Sequence, residues 1–199
     1  MRRRRCHGNV VTTRTTLELR NSNLCWRTTD DRPSDQESTA FEGARLEVTT
    51  TVQFDDVIQR LRESMGKTSI PEIVEIAQKP ISEPEYRRII QERFVGKSGF
   101  MVFYEIDHGG WLSKFGINRR VVRWILGNPL FAITMIQHDI TAALFAPVEI
   151  LLTEAEGRGT TITYVRPSSL MVIDENEPLM EAAAKLDKKV DDLISSVVT

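Results

Sequence analysis

The sequence predicts an α+β domain: a mostly antiparallel five-stranded sheet with helices packed on one face, in the order β-α-(insertion)-β-β-α-β-β-α. Three observations predict it. Leu46, Val48, Thr50 and Val52 alternate with Arg45, Glu47, Thr49 and Thr51, the period of a half-buried strand. Leu179, Ala182, Ala183, Leu186, Val190, Leu193, Ile194 and Val197 form a helical stripe from Pro178 onward, with Lys185, Asp187, Lys188 and Asp191 turned outward. Between these ends lie strand-like runs that follow one another as hairpin-like neighbours, which favours antiparallel pairing.

The elements are justified in order. Residues 1–43 are rich in Arg, Thr, Ser and Asn and show no sustained period, so a disordered N-terminal extension is expected there. Residues 44–199 form the single domain. After its first strand, Phe54, Val57, Ile58, Leu61 and Met65 recur at helical spacing, with Asp55 and Asp56 in the first turn, where they complement the helix dipole. Pro71, Pro80 and Pro84 then divide a helical insertion at about 67–97, in which Ser82, Pro84 and Glu85 supply an N-terminal capping pattern. Phe100 to Asp107 is a second strand, apolar on both faces before it turns charged at Glu105 and Asp107. Arg120 to Leu126 alternates as a third strand. Asn128 and Pro129 fit the N-cap and first turn of the apolar helix LFAITMIQH. Pro147 to Thr153 and Thr160 to Val165 flank EAEGRG as a hairpin.

Composition narrows the function classes. The chain is 41 % hydrophobic and 27 % charged, the mix of an ordinary globular protein. Residues 1–29 carry seven arginines against Glu18 alone, a local +6 that leaves −8 for the rest when the whole is −2. An acidic body argues against nucleic-acid binding, which needs a concentrated basic face. Cys6 and Cys25 form no CxxC pair, and the longest uncharged run, Trp124 to His138, is shorter than the ~18 apolar residues of a membrane span and is broken by Asn128-Pro129. Cytoplasmic localisation is the expectation. The alternative is mitochondrial, because the Arg-rich, acid-poor start has transit-peptide composition.

Motifs that carry chemistry are few. Gly66-Lys67-Thr68 and Gly96-Lys97-Ser98 match the end of a P-loop, but the required earlier glycines are replaced by Leu61 and Gln91. No GxGxxG follows a strand. His108-Gly109-Gly110 lacks the GxSxG elbow of a lipase-type hydrolase, and its glycines are expected to serve a turn at positive φ. Glu105 and Asp107 share a strand face, where paired carboxylates suit acid/base work, while His108 points the other way. These three are the candidate catalytic residues. Phe103, Tyr104, Trp111, Arg123 and Trp124 are the candidate ligand-binding residues, and no metal site or cofactor is expected. The sheet face away from the helices offers Thr49, Thr51, Arg123, Ile125, Leu151, Thr161, Thr163 and Val165, too apolar for pure solvent surface and suited to a ligand or a second copy.

The succession LEVTTTVQFDDVIQRLRE, FMVFYEID, WILGNPLFA, LFAPVEILLTE and TYVRPSSLM, from about Leu46 to Val197, resembles the domain-of-unknown-function 302 family. The most recognisable pieces are Glu105-Ile106-Asp107, Leu126-Gly127-Asn128-Pro129 and the Pro147 region. The resemblance implies a small α+β domain that can form homodimers, with a TATA-binding-protein-like fold, a class that also includes helix-grip pockets for hydrophobic ligands. Many relatives carry cysteines before Asn-Pro and near the later proline. This chain has Gly127 and Ala146-Pro147-Val148 there, so a thiol or metal role does not carry over. Three functions follow as expectations: a homodimeric small-molecule-binding module, a cofactor-independent enzyme using Asp107 or Glu105, or a structural interaction protein.

Overall fold

The computed structural model describes residues 14–18, 25–29, 37–155 and 159–199. The chain divides into two compact units, Met1–Phe41 and Glu42–Thr199. In the first, where the sequence suggests no regular element, β1 (Arg14–Glu18) pairs antiparallel with β2 (Cys25–Thr29). The transit-peptide pattern otherwise falls outside the described residues.

The second unit begins with β3 (Arg45–Thr50) and α1 (Phe54–Ser64), whose Phe54, Val57, Ile58 and Leu61 are all buried. Next come β4 (Gly66–Lys67), α2 (Ile70–Ala77) and α3 (Glu83–Arg93), the last capped by the Ser82 hydroxyl accepting from the Glu85 amide at 3.4 Å. Then follow β5 (Met101–Asp107), a short α4 (Gly109–Leu112) continued by a 3-10 turn (Ser113–Phe115), and β6 (Val121–Gly127). After them run α5 (Pro129–Ile136), a 3-10 helix (Ile140–Phe145), β7 (Val148–Ala155), β8 (Gly159–Val165), α6 (Pro167–Met171) and α7 (Glu177–Val198). The turn between β7 and β8 lies outside the described residues.

The sheet order is β3-β8-β7-β6-β5-β4, so the sheet has six strands where the sequence suggests five. The sixth is β4, parallel to β5 through Gly66 and Met101. Two residues carry no period that could announce a strand, and the pairing exists only because the chain doubles back beside β5. The other four pairings are antiparallel.

The main core lies on one face, where Trp124, Leu126, Ile150, Leu152 and Ile162 meet Leu61 of α1 and the apolar stripe of α7. Each of the eight stripe residues named from spacing is buried. The helices do not all gather there. Met101 and Phe103 belong to a second cluster with Ile76 of α2, Ile90 of α3 and Phe94 just after it, so the insertion packs against the other side of early β5. Over the rest of that side, Ile125, Leu151 and Thr163 are half-buried and Tyr104 is exposed. Among the described residues no helix is long and apolar enough to cross a membrane.

Candidate functional site

The charged end of β5 is built by a bulge. The β5–β6 register pairs Val102 with Leu126, then slips so that Tyr104 pairs with Ile125, Glu105 with Trp124 and Asp107 with Val122. Paired residues share a face, so the extra residue turns Glu105 and Asp107 toward the side of Trp124 and Val122, and Tyr104 outward. Glu105 there accepts both forks of Arg62 from α1, with Nε to Oε2 at 3.1 Å, and is an ion-pair partner rather than a free base. Asp107 Oδ1 accepts from the Gly110 amide at 3.2 Å.

Gly109 and Gly110 do not sit at positive φ; both are helical residues of α4. Gly109 answers to a close approach instead, since a Cβ there would lie 2.9 Å from the Arg119 carbonyl oxygen. His108 Nδ1 accepts from Trp111 Nε1 at 3.2 Å, and the two rings stand edge to face, as do Trp111 and Phe115.

A hollow of about 280 Å3 opens beside Asp107, lined also by Phe54, Asn118, Arg119 and Arg120. Its arginines are already engaged. Arg120 forks onto Asp55, with Nη1 to Oδ2 at 2.8 Å, and lies over the Phe54 ring; this hydrogen bonding holds the Asp55 carboxyl below its usual range. Arg119 donates to the Glu154 carbonyl at 3.0 Å. Neither Glu105 nor His108 lines the hollow, so the three candidate catalytic side chains do not converge on it.

The candidate ligand-binding residues are equally scattered. Tyr104 and Trp111 are half-exposed, Arg123 pairs with Glu149, and Trp124 is fully buried in the main core. The Trp124 indole nitrogen is one of two buried side-chain polar atoms without a hydrogen-bond partner among the described residues. Of the five, Phe103 does line a cavity.

That cavity, of about 210 Å3, lies where β6 hands over to α5 and β7 begins. Asn128 organises it. Its Oδ1 caps α5 by accepting from the Leu130 amide at 2.8 Å, and its Nδ2 donates to the Gly99 carbonyl at 2.9 Å. Gly99 has φ of +84°, and a Cβ there would lie 3.0 Å from Phe131 Cζ. The missing side chain lets Phe131 stand edge to face on Phe100, with centroids 5.6 Å apart. Gly127 leaves room of the same kind, because a Cβ on it would meet Phe103 and Pro147 at 3.2 Å. Phe100, Phe103, Phe131, Met135, Val148 and Leu186 complete an apolar lining in which Asn128 is the only polar side chain. The Ala146-Pro147 peptide at its edge is cis.

Residues 84–197 match the family described as Domain of unknown function DUF302. The chain belongs to the DUF302 family. The match runs from α3 to α7 and contains every residue that lines the cavity, while β3, α1, β4 and α2 precede it. The crystal structure of an uncharacterized conserved DUF302 protein from Bacillus stearothermophilus is similar, with a TM-score of 0.54. The identity is 19 % over 77 % of this chain and 97 % of that chain, a likeness of fold. Among curated proteins none matches the sequence. Within the DUF302 match, the Gly127-Asn128-Pro129 and Pro147 segments, legible in sequence as family markers and a helix start, prove to be neighbours around one cavity.

Among the described residues no group of three or more His, Cys, Asp or Glu side chains is arranged to hold a metal ion.

Proposed function

We infer that this DUF302 chain is a non-catalytic binding module that takes a small apolar group into the cavity beside Asn128. The observation that carries this reading is the lining itself: apolar side chains throughout, with both ends of the one amide already hydrogen-bonded. Such a space offers dispersion contacts and no polar anchor, so it favours hydrocarbon over water. A cavity of about 150 Å3 with similar walls stays dry and holds benzene. At about 210 Å3 this one has room for a somewhat larger group. The acid/base alternative has less support, because Glu105 is committed to Arg62 and stands apart from His108.

Ala132 on α5 lines the cavity and is half-buried, so Ala132→Phe places a ring in the space. Titration calorimetry with small neutral hydrocarbons such as benzene and toluene should show uptake by the unaltered protein. The variant should lose at least about tenfold in affinity, since burial of several methylene equivalents is forfeited. Equal uptake by both proteins would dismiss the cavity as the site.

Self-association across the sheet face away from α1 and α7 is a second reading. Its support is the run of Ile125, Leu151, Val165 and Tyr104 there, with Val165 37 % and Tyr104 56 % exposed. Light scattering on the purified chain should give a dimer mass, and Leu151→Asp should return it to the monomer. A monomeric mass for the unaltered chain at micromolar concentration sinks this reading.

A further inference from the structure

A second groove, of about 390 Å3, adjoins the apolar cavity and shares Phe131, Met135 and Leu186 with it. Across these three shared residues the chemistry changes. On the cavity side the lining is hydrocarbon. On the groove side α7 presents Lys185 and Lys189, one helical turn apart. Lys189 Nζ stands 4.3 Å from the centroid of the Phe131 ring, so its ammonium rests on the very side chain that walls the cavity.

Neither lysine is in an ion pair among the described residues. The neighbouring Lys188 takes Asp192 instead, at 2.9 Å. Asp187 accepts from the Ser168 amide on α6 and does not line the groove. Glu181 is the only acid in the lining, so the two lysines set two positive charges against one negative there.

We propose that cavity and groove form one two-part site for an amphipathic monocarboxylate, with its hydrocarbon tail against Phe100, Phe103 and Met135 and its carboxylate on Lys185 and Lys189. The proposal rests on the apolar-cavity reading above and adds the ligand's charge. A net single positive charge in the groove matches a monoanion better than a dianionic phosphate. Scaled from the benzene-sized cavity of about 150 Å3, the space suits a tail of roughly six to nine carbons. Placing the anion beside an aromatic wall strengthens the attraction, because water is partly excluded there.

Calorimetry of the full chain with octanoate and with octanol tests this, since the two probes share a tail and differ in the head. Octanoate is expected to bind about tenfold more tightly, a margin that falls as salt is raised. Lys185→Gln combined with Lys189→Gln should bring octanoate down to the level of octanol. Glu181→Gln should tighten octanoate alone. All three positions are solvent-exposed, and circular dichroism is the check that the variants fold. Octanoate binding no tighter than octanol, or unaffected by the double substitution, overturns the carboxylate assignment and leaves the apolar site standing. Failure of both probes to bind overturns the apolar site and the carboxylate assignment together.

Discussion

Trp124→Ala is expected to destabilise the domain by about 3–5 kcal/mol, the range for emptying a large aromatic site in a packed core. Trp124 sits on β6 between Glu105 of β5 and Ile150 of β7, and none of its surface is exposed. Its loss opens space at the centre of the sheet, where strands on both sides resist collapse into the gap. Trp124→Phe is expected to behave differently. The phenyl ring is smaller, which costs packing, but it also removes the indole N–H that lies buried without a partner. An unsatisfied buried donor carries a penalty of about 1–3 kcal/mol, so the two effects oppose and the net change should be within about 1 kcal/mol. Urea denaturation of the two variants separates these outcomes. Equal losses for both substitutions would show that the N–H is satisfied in solution.

Gly66→Ala is the second large effect, about 3 kcal/mol of destabilisation by overpacking. A Cβ on Gly66 would fall inside the carbonyl group of Phe94 and 2.7 Å from the Gly96 amide nitrogen. Backbone cannot move aside as a flexible side chain can. The two glycines cross where the insertion leaves and rejoins the domain, and both their amides donate to the Phe100 carbonyl at 2.9 Å. Parting them would loosen β4 from β5 and expose residues 67–97 to proteolysis. Gly110→Ala is the control, since its nearest neighbour is an Asp107 oxygen at 3.6 Å and the change there should stay within about 0.5 kcal/mol. Denaturation midpoints and limited proteolysis read both effects. A wild-type protection pattern in Gly66→Ala would show that the crossing has more freedom than its geometry allows.

The two glycines also show what the sequence left unassigned at this point. Gly66-Lys67 and Gly96-Lys97 look like damaged phosphate loops, yet their glycines serve a backbone crossing that only the fold creates. The charged end of β5 shows a similar limit. Counting in twos from the core residue Val102 would bury Tyr104 and turn Glu105 and Asp107 to the face away from α1 and α7. The bulge at Phe103 reverses that parity, leaving Tyr104 56 % exposed and delivering Glu105 to Arg62. A bulge adds one residue without a local signature, so periodicity could not place it.

By itself the sequence determined the elements whose signals are local: the alternation of β3, the amphipathic stripes of α1 and α7, and the caps at Ser82 and Asn128, where a side chain answers amides two or three residues away. It also determined the family, through motifs that survive as short strings. Only the tertiary structure decided the sixth strand, the bulge and the cavity. Each depends on residues far apart in the chain meeting in space, as Phe103, Gly127, Pro147 and Leu186 do around one apolar hollow. Local periodicity records which way a side chain faces, and does not record what lies opposite it.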